Sequence, residues 1–364
     1  MTTTFNTIIV GAGPAGLGVA IALKQLGFED SLIVDRHGIG HSFENWPRET
    51  RFITPSFPAH EFGCPDLNAV TASFSPGAWL SAEHPTGKQY ARYLRELAVR
   101  NELEVQTGID VRGLLRHENG TIKLDTSGGA LYGRTVVWAA GEFQYPNTNP
   151  FPGSELCIHS MTLASYSELK GAEFLVIGGY ESGMDVASHL IAHCAKVRVL
   201  DPSVPWEETE GDPSSILSIK TRARLEGMQK TGRLILNRSA PVMEVTQIDG
   251  LYRTQTADGK QWTSATRPIL ANGFRGSLSL LPDAFARDER GQIQLSACDE
   301  STVMPGLFLA GPHVRHGDQL FCFIYKFRTR FPIVAAAIAE KRTYHENRYS
   351  AAAHNPNRDC LSRT

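Results

Sequence analysis

The sequence predicts an α/β chain built on two separate parallel-sheet folds, and three observations predict it. The first is a short β-branched run, Phe5 to Val10, followed at once by Gly11-Ala12-Gly13-Pro14-Ala15-Gly16 and a helical pattern through Leu17, Val19, Ala20, Ala22 and Leu23. The second is the return of that succession, with Gly178 standing 167 residues after Gly11: Glu173 to Ile177, then Gly178-Gly179-Tyr180-Glu181-Ser182-Gly183, then a helix from Met184 to His193. The third is a set of strand-like runs that end in small residues: Thr135 to Trp138 into Ala139-Ala140-Gly141, Arg267 to Leu270 into Ala271-Asn272-Gly273, and Gly306 to Leu309 into Ala310-Gly311.

The first unit is the most complete. Its second strand, Ser31 to Val34, is closed by Asp35, 19 residues after Gly16, with Arg36 next. Strand, glycines, helix, strand and terminal acid in that order make a βαβ unit that binds a dinucleotide. The glycines let the backbone approach a pyrophosphate at the helix N-terminus, and the acid accepts ribose hydroxyls. The second unit ends in the same way, Val197 to Leu200 closing on Asp201. The interval between the two is far longer than a solenoid period, so they are two folds, each Rossmann-like. Gln106 to Val111 reads as a further strand. Asp318 to Glu340 reads as a helix that Pro332 breaks or kinks, and 341–364 as a loose polar tail.

Composition narrows the function classes. The 364 residues carry 36 basic and 38 acidic side chains, a formal net charge of −2, which argues against a nucleic-acid or anionic-membrane surface as the main role. No apolar run is long enough to span a bilayer, and the glycine-rich start has no basic n-region of a leader. The six cysteines are scattered, with no Cys-x-x-Cys pair, so a local dithiol and a Cys-rich zinc site are excluded and no metal is expected. Reduced thiols in a cytoplasmic protein are the expectation.

These residues resemble the flavoproteins with two dinucleotide-binding domains: thioredoxin-reductase-like enzymes, bacillithiol-disulfide-reductase-like proteins and flavin-containing monooxygenases. The resemblance spans about residues 5–340 and rests on Gly11 to Gly16, Ala139 to Gly141, Gly178 to Gly183 and Gly306 to Gly311. It implies that an NAD(P) domain (149–274) is inserted into an FAD domain (1–148 and 275–340). It places FAD against Gly11, Gly13, Pro14, Ala15, Gly16, Asp35 and Arg36, adenine beside Val111, and the chain at Ala140 and Gly141 along the cofactor. The flavin ring would face Gly311, Pro312 and the start of the following helix near Gln319 and Leu320. Trp46 and Pro47, with Thr54 and Pro55, resemble the flavin-side loop. Nicotinamide would lie on Gly178, Gly179, Tyr180, Glu181, Ser182 and Gly183.

Departures from the family pattern sharpen the expectations. Pro312 stands where the family has Asp, and Ala15 where some relatives have a cysteine. Tyr180 replaces a glycine, so a side chain crowds the second pyrophosphate site. Asp201 opposes a 2′-phosphate by charge and favours NADH over NADPH. His313 and His316 are the best-placed acid–base candidates, and Cys322 is a candidate redox thiol at the flavin face with a buried structural role as the alternative. Phe151-Pro152-Gly153 with His159 and Tyr166 loosely resembles the monooxygenase linker. Lys326, Arg328 and Arg330 read as a solvated basic face or an anion contact. The leading expectation is an FAD-dependent oxidoreductase that takes hydride from NADH or NADPH, monooxygenase-like, acting on a small molecule. A reductase of a disulfide, quinone or protein partner is the first alternative, and a non-catalytic flavin or nucleotide sensor the second. A homodimer is left open.

Overall fold

The computed structural model describes residues 4–57, 65–193 and 195–353. Cys64, Cys194, Cys360 and the end of the expected tail lie outside the described residues.

The elements up to Trp138 are β1 (Thr4–Val10), α1 (Pro14–Gln25), β2 (Ser31–Asp35), α2 (His41–Glu44), α3 (Pro76–Leu80), α4 (Gly87–Arg100), β3 (Val105–Thr107), β4 (Val111–Arg116), β5 (Ile122–Thr126) and β6 (Gly129–Trp138). Then come β7 (Ile158–His159), β8 (Glu173–Ile177), α5 (Glu181–Ala192), β9 (Lys196–Asp201), α6 (Ile219–Lys230), β10 (Leu234–Arg238), β11 (Val242–Ile248), β12 (Leu251–Thr256), β13 (Gln261–Ser264) and β14 (Ile269–Leu270). The chain closes with β15 (Leu307–Leu309), β16 (Arg315–His316), β17 (Gln319–Leu320), α7 (Ile324–Phe327) and α8 (Phe331–Ala353). Two compact units result, one of Met1–Ile39, Leu97–Ala140 and Leu280–Thr364, the other of Gly40–Glu96 and Gly141–Ser279.

In the first unit the sheet runs β3-β2-β1-β6-β5-β4, with β15 also on β6. The central strands are parallel and buried on both faces, which is why they read as unbroken apolar runs: Ile8, Ile9, Val136 and Val137 are fully buried. Val10 and Leu309 both pair with Trp138, so three strands end at one level. The chain then leaves the sheet through Gly11, Ala139 and Ala310. α1 starts with Pro14 in its first turn, where the missing N–H costs nothing. It lies so close to α8 that a Cβ on Gly18 would sit 2.0 Å from the Phe331 ring.

Three expectations are corrected here. Gln106 to Val111 is not one strand: β3 ends at Thr107, Gly108 takes φ +75°, and Val111 opens β4. Asp318 does not begin a helix. Gly317 (φ +57°) and Asp318 form the two-residue turn of a hairpin in which Arg315 pairs with Leu320 and His316 with Gln319, and helix begins only at Ile324. Pro332 sits in the first turn of α8 instead of breaking it, and the helix continues from Lys341 to Ala353. Its first polar residues are helix formers that also find partners: Lys341 pairs with Glu300 and Arg342 with Asp30.

In the second unit β10-β9-β8-β14-β7 form a wholly parallel sheet, and β11-β12-β13 an antiparallel meander. Its core joins Val176, Val199 and Ile269 of the sheet to Met184 and Val186 of α5 and to Leu225 and Met228 of α6. Ile177 pairs with both Leu200 and Leu270, so Gly178, Asp201 and Ala271 meet at one level. No described helix is long and apolar enough to cross a membrane.

Candidate functional sites at two glycine corners

Ligands of open parallel sheets bind at the carboxyl ends of the strands, and both glycine runs lie there. In the first unit Gly11 has φ +109°, and a Cβ on it would lie 2.4 Å from the Ala139 carbonyl oxygen. A Cβ on Gly16 would lie 1.9 Å from the Gly11 oxygen. These two glycines are therefore demanded by packing. Gly13 is different: a Cβ there meets nothing within 4 Å, so the space above the N-terminus of α1 is open. No side chain caps that terminus. Its N–H groups and the positive end of the helix dipole face this opening.

Asp35 closes the corner. Its Oδ2 accepts from the Ala12 N–H (2.9 Å) and its Oδ1 from the His37 and Gly38 N–H groups (2.8 Å each). A carboxylate offers about four lone-pair sites, so one remains on Oδ2 for a further donor. Arg36 lies 3.7 Å from Asp110, half-exposed, and Val111 is buried at the start of β4. Gly311 follows β15 with φ +107°, and a Cβ on it would touch the Ala15 Cβ at 3.3 Å. The last motif is thus packed against the first. These positions make a cradle that an adenine dinucleotide fits.

The residues after Gly311 divide. His313 is half-buried, and burial together with the charge of Arg287 holds its pKa below the ordinary value, which favours the neutral form. His316 is engaged elsewhere: its Nε2 lies 2.6 Å from Oδ1 of the fully buried Asp299 and 3.1 Å from the Arg330 guanidinium. Arg330 clamps the same carboxylate through Nε (3.0 Å) and a terminal nitrogen (2.9 Å). The expectation of a solvated basic face therefore fails at Arg330, which is held inside by Asp299. Asp299 also bonds β15, its carbonyl accepting from the Leu309 N–H (2.8 Å). This network was invisible to sequence reasoning because its members are separated by 14 to 31 residues. Cys322 is exposed, while burial pushes the Cys157 thiol up to about 12. The described cysteines Cys157, Cys298 and Cys322 are not in disulfides.

The second corner repeats the packing of the first. Gly178 has φ +105°, with the Ala271 oxygen 2.4 Å from a notional Cβ, and a Cβ on Gly183 would lie 2.0 Å from the Gly178 oxygen. The mouth, however, is filled. Tyr180, at the position of Gly13, donates its hydroxyl to the Ile216 carbonyl (2.7 Å). A Cβ on Gly179 would lie 2.4 Å from the Trp206 ring. Asp201 is 7% exposed. Its Oδ2 accepts from the Gly179 N–H (2.7 Å), and its Oδ1 from the Ser203 N–H (2.7 Å), the Ser203 hydroxyl (2.6 Å) and the Val204 N–H (3.2 Å), so Oδ1 is saturated. Glu181 turns away to the start of α6, accepting from Ser218 N–H (2.5 Å) and the Thr221 hydroxyl (2.5 Å). Ser182 stands in the first turn of α5. As placed, the Tyr180 side chain and the Trp206 ring lie over this corner, and the Asp201 oxygen on the loop side is taken.

Also in this unit, Trp46 belongs to an aromatic group with Phe43 (5.1 Å) and Phe52 (5.0 Å). Gly141 has φ +66° and open space beside it, and the next residue, Glu142, is pushed up in pKa by burial. His159 accepts from the Met161 N–H at Nδ1 (3.3 Å) and donates from Nε2 to the Gly273 oxygen (3.0 Å). Burial holds its pKa down, the neutral form those bonds require. Tyr166 donates to Asp185 (3.2 Å), which also takes Thr50 (2.8 Å) and Arg224 (2.7 Å).

The model of the pyridine nucleotide-disulphide oxidoreductase family matches residues 8–311, from β1 to the last glycine corner. The chain belongs to this family. Membership makes it a flavoprotein oxidoreductase type with FAD and a pyridine nucleotide as the family's cofactors. A bacilliredoxin reductase Bdr of Bacillus subtilis is 26% identical over 349 residues, 93% of this chain and 99% of that protein. The fold matches a bacillithiol disulfide reductase Bdr (YpdA) from Staphylococcus aureus at a TM-score of 0.74 and 20% identity, over 94% of this chain and 99% of that one. It also matches a flavin-containing monooxygenase from Stenotrophomonas maltophilia at 0.69 and 16% identity, over 94% and 99%. The family therefore agrees with the resemblance read from the glycine motifs.

Proposed function

We propose that the chain is an FAD-dependent oxidoreductase in which the first glycine corner holds FAD and reduced flavin serves a small-molecule reaction with oxygen as electron acceptor. The observation that carries the FAD assignment is the open space above Gly13 beside an Asp35 with one acceptor site left. The N–H groups at the start of α1 would hold the pyrophosphate, Asp35 a ribose hydroxyl, and Gly311 would leave the flavin side of the cradle slim. FAD, when bound, supplies two-electron redox chemistry, and the chain supplies orientation and exclusion of water. Neutral His313 could move a proton at this corner, whereas His316 serves to hold the loop through Asp299.

Oxygen is favoured because Ala15 stands where some relatives carry a cysteine and the sequence holds no Cys-x-x-Cys pair to relay electrons to a disulfide. The second reading, a reductase of a disulfide or quinone, is favoured by the similarity to a bacilliredoxin reductase along the full length of both chains. NADH is the proposed donor, since the stretch that follows Asp201 is acidic and exposed at Glu208, Glu210 and Asp212 and would oppose a 2′-phosphate. The test is anaerobic reduction of the purified yellow protein by NADH or NADPH, then oxygen with the candidate substrate. Oxygenated product formed in step with NADH supports the proposal. Fast reduction of a quinone or disulfide without oxygen consumption moves the assignment to the reductase.

A further inference from the structure

The second corner repeats the backbone of a nucleotide site, yet one segment is fastened over it. Residues 202–218 leave β9 and return across the mouth to the start of α6. Four fastenings hold them there. Asp201 accepts from Ser203 and Val204. The Trp206 ring lies on Gly179. The Tyr180 hydroxyl bonds the Ile216 carbonyl. Glu181 accepts from Ser218 and Thr221. Every anchor on the corner side belongs to the glycine motif or its terminal acid.

The segment is also strained at its root. Val204 is buried and has φ +54°, a left-handed conformation that a β-branched residue rarely adopts. Such outliers cost about 1–3 kcal/mol and persist only where their surroundings enforce them. Between Glu207 and Asp212 the segment is exposed and acidic, with Gly211 at φ +143° available as a hinge.

We propose that residues 202–218 are a strap that closes the second corner, so that a nicotinamide dinucleotide binds only after Trp206 and Tyr180 lift from Gly179 and Ile216. Release frees the Asp201 carboxylate from Ser203 and Val204 and returns acceptor sites for a ribose. The inference rests on the reading of this corner as the nicotinamide site. It makes Trp206 and Tyr180 the residues that set the apparent affinity, because binding must overcome the closed state.

The test is hydrogen exchange of the full flavin-loaded chain with and without saturating NAD+, alongside calorimetric titration of NAD+. Binding ordinarily slows exchange at a site. Here peptides covering 202–218 should exchange about tenfold faster when NAD+ is bound, while the first turn of α5 is protected. Trp206→Ala should raise exchange of the strap without nucleotide and tighten NAD+ about tenfold, whereas Trp206→Phe, which keeps a ring on Gly179, should stay close to the wild type. Exchange that slows or stays constant across 202–218 with NAD+ bound would overturn the strap and make the segment part of the nucleotide's bed. Failure of both the wild type and the Tyr180→Gly/Trp206→Ala double variant to bind millimolar NAD+ would instead remove the nicotinamide reading, and the strap with it.

Discussion

The two glycine corners share a scaffold and differ in what lies over it. Both place their first glycine 2.4 Å, Cβ to oxygen, from the neighbouring strand's exit, and both have a last glycine packed on the first. Both end β9 or β2 on a carboxylate that bonds the N–H of the residue after the first glycine. The middle position diverges most: Gly13 faces open space, while Tyr180 reaches across to Ile216. The lesson is that two functions are layered in this motif. The outer glycines build the corner whatever it binds, and the middle residue with the loop beyond the acid decides whether a dinucleotide can enter.

The largest effect should come from filling the open corner. Gly13→Leu should abolish FAD retention, more than about 100-fold in affinity, and give colourless protein, because a bound pyrophosphate and a side chain compete for one space. Thermal stability of the flavin-free chain should change little, since a Cβ there has no protein atom within 4 Å. If the stability falls with the flavin, Gly13 belongs with the packing glycines and the distinction fails.

Next in size are the packing glycines. Gly11→Ala and Gly178→Ala should each destabilise their unit by about 2–4 kcal/mol in denaturant unfolding, combining a positive φ with a backbone overlap. Equal losses would confirm that the corners share a scaffold. A much smaller loss at Gly178 would mean that the second corner has relaxed.

The acids should separate the roles. Asp35→Asn should weaken FAD about tenfold and also lower stability by about 1–3 kcal/mol, because it loses a charged acceptor for a ribose hydroxyl and for the Ala12, His37 and Gly38 N–H groups. Asp201→Asn should lower stability by about 1–3 kcal/mol and leave FAD untouched, because its four donors are all internal. Flavin absorbance after gel filtration and thermal denaturation read both.

How far was this legible in the sequence? The first corner was nearly complete in it, because each requirement is local: a glycine where the chain passes Ala139, an acid at the end of β2, a proline at the start of α1. The second corner was legible to the same depth, and Tyr180 was visible as an intruder. Its consequence was hidden, since the path of 202–218 and the position of Trp206 follow no periodic pattern. A tryptophan in an acidic, proline-bearing loop was the only available signal. The hairpin at Gln319 and Leu320 reads as helix from the sequence because its strands are only two residues long, too short for a period, although Gly317-Asp318 is itself a hairpin-turn pair. The Asp299–His316–Arg330 network could not be found at all, as nothing in the spacing links the three.

The smallest expected effect is electrostatic and lies on α6, where the strap ends. Burial, with the nearby charges of Arg224 and Arg51, lowers the Lys220 pKa to about 8. Lys220 therefore disfavours the folded state fully below that pH, and less as pH rises toward the ordinary lysine value, where the unfolded chain also loses its proton. Lys220→Met should stabilise the protein modestly at pH 7, and the gain should fade by about pH 10. A gain that grows with pH would reverse this assignment.

The central claim is that the second corner is a nucleotide scaffold closed by its own middle residue and strap. Calorimetric titration of NAD+ into the wild type and into Tyr180→Gly tests it most directly. Restoring the glycine should tighten NAD+ by at least about tenfold, roughly 1.4 kcal/mol, with FAD content unchanged. Equal affinity in the two proteins would contradict the account, because Tyr180 would then be no barrier and the corner would already be open.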